Sequence, residues 1–188
     1  MQRYFAVLSI ILLIAMVITR ILLLNKQEIK AMQFGRIDKK DFLIPPFALF
    51  YFYLIFANAF NLPTINKQEI FHIEIISWIG VFLCLLGLVL LFWSLISFRK
   101  SFRVGIDLKH SDGLITTGVL ALSRNPIYVS FGLVLLGQFL IFSNWSLLVY
   151  IVAAIWLFHR QVLCEEEFLM KHYGKEYMEY CKRVRRYL

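Results

Sequence analysis

Arg124, Asn125 and Tyr128 stand on one side of an uncharged apolar stretch, and Arg160 with Glu165, Glu166 and Glu167 stands on the other. Together they supply the parts of a small polar site. Carboxylates accept hydrogens from ammonium or hydroxyl groups, an arginine grips a carboxylate through charge-assisted hydrogen bonds, and an amide does both. The stretch between them decides whether they meet. Residues 127–142 and 145–157 are apolar runs parted only by Ser143 and Asn144. By borrowing flanking positions each reaches roughly 20 residues, about 30 Å of helix, which is the thickness of a bilayer core. The spacing predicts a chain that crosses, turns tightly and returns, so that both polar groups lie at one membrane face. Ionisable side chains there are expensive, which points to a functional site, with a purely structural ion-pair cluster as the alternative.

The rest of the chain must hold that hairpin. Its residues are 60% hydrophobic with a mean hydropathy of +0.71, which excludes an ordinary soluble domain. Further apolar spans at residues 4–24, 42–60 and 73–98 bring the expected number of crossings to five. The fold class expected is an all-α integral membrane protein of one domain, residues 1–188. Residues 1–98 form a three-span scaffold; residues 99–188 carry a polar loop, the hairpin and a C-terminal helix. The first span lacks a small-residue cleavage site and runs into a charged segment, so it reads as a retained helix. Pro45 and Pro46 open the second span, where a missing N–H is tolerated. Gly80 and Gly87 fall on nearly one face of the third and allow close helix approach or oligomer contact, with packing inside the molecule the preferred reading.

A formal net charge of +8 would suggest nucleic acid in a soluble protein. Here topology explains it, and no nucleic-acid partner is expected. Lys26, Lys30, Arg36, Lys39 and Lys40 lie in the first loop, Lys67 alone in the second, and Arg99, Lys100, Arg103, Lys109 and Arg124 in the third. The hairpin turn has none, and the tail is again basic. The positive-inside rule puts the first loop, third loop and tail in the cytoplasm, the amino terminus outside, and the polar site at the cytoplasmic face. Lys182, Arg183, Arg185 and Arg186 are expected against anionic membrane lipids. Cys84, Cys164 and Cys181 form no CxxC pair, and the four histidines form no ligand pair, so no metal site is expected.

The third loop, residues 99–123, has a charged first part and a small, apolar second part from Gly113 to Gly118, whose glycines let backbone approach a ligand. After the hairpin the helix is expected to continue out of the membrane, break near Gly174 and resume. Tyr173, Tyr177 and Tyr180 then make one amphipathic stripe, which packs on the membrane or on the third loop.

Two segments resemble a family. DGLITTGVLALSRNPIYVS, from Asp112 to Ser130, is similar to the pattern HxLVTxGPYxxxRHPxYxG, and EEEFLMKHYGKEYMEY, from Glu165 to Tyr180, to EExxLxxxFGxxYxxY. Both patterns, separated by a membrane hairpin, belong to the isoprenylcysteine carboxyl methyltransferase and phospholipid methyltransferase superfamily. Leu114, Thr116, Gly118, Arg124, Pro126, Tyr128, Glu165, Glu166, Leu169, Gly174, Tyr177 and Tyr180 keep register. Asp112 stands for the pattern's first His, Leu120 for its Tyr, and Asn125 for the His of RHP.

The resemblance implies S-adenosylmethionine as cofactor. By position, Asp112, Gly113, Leu114, Ile115, Gly118, Leu120, Asn125, Pro126, Ile127 and Tyr128 would form its pocket, with Glu165 and Glu166 closing it. Asp112, Asn125 and Glu166 can accept from the ammonium and ribose hydroxyls of such a ligand. No GxGxxG occurs, which excludes the soluble Rossmann arrangement. The implied reaction is methyl transfer to the carboxylate of a lipophilic, prenylcysteine-like substrate entering from the bilayer. Arg160 and Glu166 would be the catalytic residues, Arg160 holding the substrate carboxylate. The alternative for Arg160 is pairing with the glutamates or reaching the headgroups. Alternatives for the whole chain are N-methylation of a phospholipid, an NADPH-dependent sterol-reductase-like activity, and a non-catalytic lipid-binding scaffold.

Overall fold

The computed structural model describes residues 1–25, 44–64, 68–98 and 113–188. Within them the chain forms α1 (Gln2–Asn25), α2 (Ile44–Ala59), α3 (Glu74–Ser97), a 3-10 turn (Gly118–Ala121), α4 (Pro126–Phe142), α5 (Trp145–Tyr173) and α6 (Lys175–Arg183). No strand occurs among the described residues; Glu69 and Asn144 make an isolated bridge. The protein is an all-α membrane protein. Three helices are long and apolar enough to cross a bilayer, over Gln2–Leu23, Glu74–Ser97 and Trp145–Tyr173. The apolar helices α2 and α4 have 16 and 17 residues, a rise of about 24–26 Å against a core of about 30 Å. The five apolar runs expected from the sequence lie on these three long helices and two shorter ones. Leu8, Ile11, Phe82, Val89, Phe92, Val152 and Trp156 turn outward, as lipid-facing side chains do.

Close packing of α3 on α4 follows from glycine. A Cβ on Gly80 would stand 2.5 Å from the carbonyl oxygen of Gly137, and one on Gly137 the same distance from that of Gly80. Gly87, one step along the same face, lies against Ser130 and Val134 of α4. The spacing of Gly80 and Gly87 is therefore an intramolecular seam.

A polar network threads the apolar core beside it. Gln138 of α4 is fully buried; its Nε2 donates to Ser9 Oγ (2.8 Å) and to the Ala6 carbonyl (3.2 Å), and its Oε1 accepts from Tyr51 OH. One amide joins α1, α2 and α4 where lipid offers no hydrogen-bond partner. Around it pack Ala6, Ile10, Leu54, Ile55, Leu135 and Ile151, with Tyr150 of α5 stacked on Phe47 and Tyr51.

The hairpin turn is two residues long. Ser143 adopts a left-handed conformation (φ 41°) that ends α4, and the Asn144 side chain accepts from Leu147 N–H at 2.9 Å to cap α5. A clasp from the end of α2 and the α2–α3 connection holds this turn. Ile70 N–H donates to the Ser143 carbonyl at 2.6 Å, Ser143 Oγ donates to the Phe71 carbonyl, and Asn144 Nδ2 donates to Asn58 Oδ1 at 2.7 Å. Arg3 pairs with Glu69 at 3.0 Å in the same region. The amino terminus, the α2–α3 connection and the hairpin turn therefore share one end of the bundle. Ser97, the 3-10 turn, the start of α4 and the tail gather at the other, where Val119 N–H donates to Ser97 Oγ at 3.3 Å.

Candidate functional site

Pro126 at the first position of α4 fixes where the helix begins and leaves Asn125 as its cap residue, outside the helix and buried. On the returning arm of the hairpin, α5 carries Glu165 and Glu166 well past its apolar part. Gly174 (φ 52°) ends that helix in a conformation that favours glycine and turns the chain into α6. The tail then runs back towards α4. Both polar segments meet at one end, as the hairpin spacing predicts.

The centre of the cluster is Glu166, 8% exposed. Its Oε1 accepts from Asn125 Nδ2 at 3.1 Å and lies 3.5 Å from Arg124 NH2; its Oε2 accepts from Arg186 Nε at 3.0 Å and NH2 at 2.9 Å. Beside it, Tyr128 OH donates to Glu165 Oε1 at 2.6 Å, and the Tyr128 ring leans on Phe158 with centroids 5.8 Å apart. Arg124 NH1 contacts Cys181 Sγ, while the buried Arg124 Nε has no hydrogen-bond partner. The carboxylate hydrogen bond holds the Arg186 guanidinium above its ordinary pKa. Burial pushes Tyr180 up to about 12 and raises Tyr177 as well, with Glu166 adding to both.

The tail closes the arrangement. Arg124 N–H donates to the Arg185 carbonyl (3.0 Å), and the Arg186 carbonyl accepts from Asn125 Nδ2 (3.2 Å) and Ser123 Oγ (3.4 Å). Tyr187 OH meets His159 Nδ1 at 2.8 Å. Tyr177 and Tyr180 are buried, and Tyr180 OH donates to the Leu120 carbonyl at 2.6 Å. The tyrosine stripe thus packs on the loop before α4. Arg186, expected at lipid headgroups with the rest of the basic tail, instead binds Glu166, because a buried carboxylate needs a close cation more than a surface arginine needs a phosphate.

The remaining expected site residues are spread around this centre. Gly118 (φ 66°) abuts Ser97, Leu120 is buried under α6, and Pro126 is buried at the helix start. Ile127 packs with Phe131 against Leu91 and Leu95 of α3. Gly113 is exposed, with Leu114 and Ile115 half-buried behind it. Asp112 lies outside the described residues. Arg160 is half-buried on α5. Further along α5, Glu166 takes Arg124 and Arg186, and Glu167 pairs with Lys171 at 2.6 Å. Ser123, Cys181 and Arg186 were not among the expected site residues. Among the described residues no group of three or more His, Cys, Asp or Glu could hold a metal.

A ligand with a carboxylate, an ammonium and hydroxyls fits these residues. Two guanidiniums, of Arg124 and Arg186, face the Glu166 carboxylate with Glu165 beside it, and Arg124 Nε is a buried donor without a partner. Such a donor in a desolvated place calls for an acceptor.

An all-α membrane bundle with a polar cluster at the open end of its last hairpin defines the class. The model of the phospholipid methyltransferase family matches residues 75–176, from the start of α3 into α6, and the chain belongs to that family. Among named relatives, protein-S-isoprenylcysteine O-methyltransferase of Xenopus laevis is 30% identical over 128 residues, 66% of this chain and 44% of that one. A probable protein-S-isoprenylcysteine O-methyltransferase of Oryza sativa subsp. indica is 30% identical over 112 residues, covering 58% of this chain and 59% of its own. That of Schizosaccharomyces pombe is 29% identical over 130 residues, 68% and 54% of the two chains. The chain spans about half the length of the relatives it matches.

Proposed function

We propose that this protein is an S-adenosylmethionine-dependent methyltransferase acting at the cytoplasmic membrane face on the carboxylate of a lipophilic, prenylcysteine-like substrate. The observation that carries the reading is the meeting of Asn125, Tyr128, Glu165 and Glu166 at the end of the α4–α5 hairpin, inside the family match. The names of the relatives support a carboxyl acceptor. Five crossings with the amino terminus outside complete the proposal, supported by the distribution of Lys and Arg among the loops.

When bound, S-adenosylmethionine would supply an electrophilic methyl group on a sulfonium. In this proposal Glu165 and Asn125 accept from its ammonium and hydroxyls, and Arg124 Nε donates to its carboxylate. Gly113, Leu114, Ile115, Gly118, Leu120, Pro126 and Ile127 would line the pocket. Glu166 has both oxygens engaged, so its part is to hold Arg124 and Asn125 in place. The acceptor carboxylate is already ionised near pH 7 and needs no general base, so positioning supplies most of the rate. Arg160 holds that carboxylate by a charge-assisted hydrogen bond. The family description favours a second reading, a phospholipid amine as acceptor.

Calorimetric titration of the detergent-purified protein with S-adenosylhomocysteine tests the class. Saturable binding supports it, and a folded sample that does not bind overturns it. Methyl transfer to a prenylcysteine, and not to phosphatidylethanolamine, then selects the acceptor. In that assay Arg160→Ala lowers turnover about tenfold or more while leaving S-adenosylhomocysteine binding unchanged, the loss expected for a hydrogen bond to a charged group.

A further inference from the structure

Asn125 is flanked by two atoms that can only accept, Glu166 Oε1 at 3.1 Å and the Arg186 carbonyl at 3.2 Å. Both amide hydrogens must point to them, which forces the orientation of the side chain and leaves Oδ1 as its acceptor for anything else. Two separate contacts of one tail residue set this. The Arg186 guanidinium engages Glu166 through Nε and NH2, and the Arg186 carbonyl takes the Asn125 amide directly. Arg186 also lies beyond the last residue of the family match, at 176.

We propose that Arg186 is a positioning residue of the methyl-donor site, a tail clamp that turns Asn125 into a fixed acceptor. This rests on the methyl-donor reading above. The guanidinium anchors the tail to α5 through Glu166, and that anchor delivers the carbonyl to Asn125 at the cap of α4. Arg124 N–H to the Arg185 carbonyl and Ser123 Oγ to the Arg186 carbonyl keep the strap in register. With the clamp released, the Asn125 amide keeps only its bond to Glu166 and loses the second contact that fixes Oδ1 as an acceptor for the ligand. The ligand hydrogen it serves is that of a hydroxyl or an ammonium, the donors such a cofactor carries. A lysine at 186 supplies the charge but not the two-pronged fork, so it restores only part of the effect.

The test is a double-variant cycle read by S-adenosylhomocysteine titration and by the KM of the methyl donor. Arg186→Gln is expected to raise the dissociation constant and that KM about tenfold, with a smaller change in kcat, and Arg186→Lys to recover part of the loss. In an Asn125→Ala background the same change at 186 is expected to cost less than about twofold, because the residues act through one contact. Equal binding by wild type and Arg186→Gln, or losses that multiply in the double variant, overturns the proposal while the methyl-donor reading stands. Wild-type protein that fails to bind removes both. Should Arg186→Gln not fold, the cycle is run with Arg186→Lys, where the same non-additivity is required.

Discussion

Tyr128 and Glu165 sit three and one residues from the pair at the centre of the site, Asn125 and Glu166, and make their own hydrogen bond at 2.6 Å. Removing the hydroxyl in Tyr128→Phe leaves a half-buried carboxylate short of a donor. Bonds to charged groups are worth about 1.5–3 kcal/mol, so this variant is expected to bind S-adenosylhomocysteine about tenfold or more weakly, read by titration. Unchanged affinity would remove Glu165 from the cofactor site. At this scale the sequence told half the story. Arg124, Asn125 and Tyr128 could be paired with Glu165 and Glu166 because a two-residue turn leaves the returning helix little choice of partner. Arg186 could not, because one arginine in a basic tail looks the same whether it faces lipid or folds back onto a carboxylate 20 residues earlier. The signal available was arithmetical: a buried glutamate with one arginine beside it invites a second.

At the scale of helices, the α3–α4 seam and the docking of α6 each make a prediction with a sign. Gly132 and Gly137 both lie in α4, yet a Cβ at 132 meets nothing within 4 Å while one at 137 meets backbone. Gly132→Ala is expected to stabilise by up to about 1 kcal/mol through helix propensity, and Gly137→Ala to destabilise by about 1–3 kcal/mol through overpacking. Thermal unfolding in detergent checks both, and equal effects would mean the helices are not in contact there. For α6, the Tyr180 phenol titrates normally at 10.0 and in the folded protein at about 12. The folded state then keeps a proton that the unfolded state loses, so this contribution to stability is whole below pH 10 and is lost as pH rises towards 12. The unfolding midpoint is expected to fall across that window, more steeply than in Tyr180→Phe; parallel slopes would contradict the burial of Tyr180 under the loop. The helices themselves were legible as long apolar runs. The Ser9, Tyr51 and Gln138 network was not, since one glutamine barely interrupts an apolar run and its partners lie 87 and 129 residues away.

For the molecule as a whole, the structure puts Asn61 and the tail at opposite ends, and the proposed topology assigns the first to the outside and the second to the cytoplasm. In a background with Cys84, Cys164 and Cys181 replaced, Asn61→Cys is expected to react with an impermeant maleimide added outside intact cells. Lys182→Cys is expected to react only after permeabilisation. The reverse pattern would invert the proposed topology and put the site outside. The outline of apolar helices was readable because bilayer thickness acts on long stretches of chain.

The buried amide of Gln138 also bears on how the protein is made. A short helix with an amide in its middle is a poor candidate to enter lipid alone. Yet Ala6, Ser9 and Tyr51, which satisfy that amide, and Gly80 and Gly87, which receive the helix, all precede it in the chain. When synthesis reaches α4, every hydrogen-bond partner of that amide has already been made, and the amide can pass from water to protein without a sojourn in hydrocarbon.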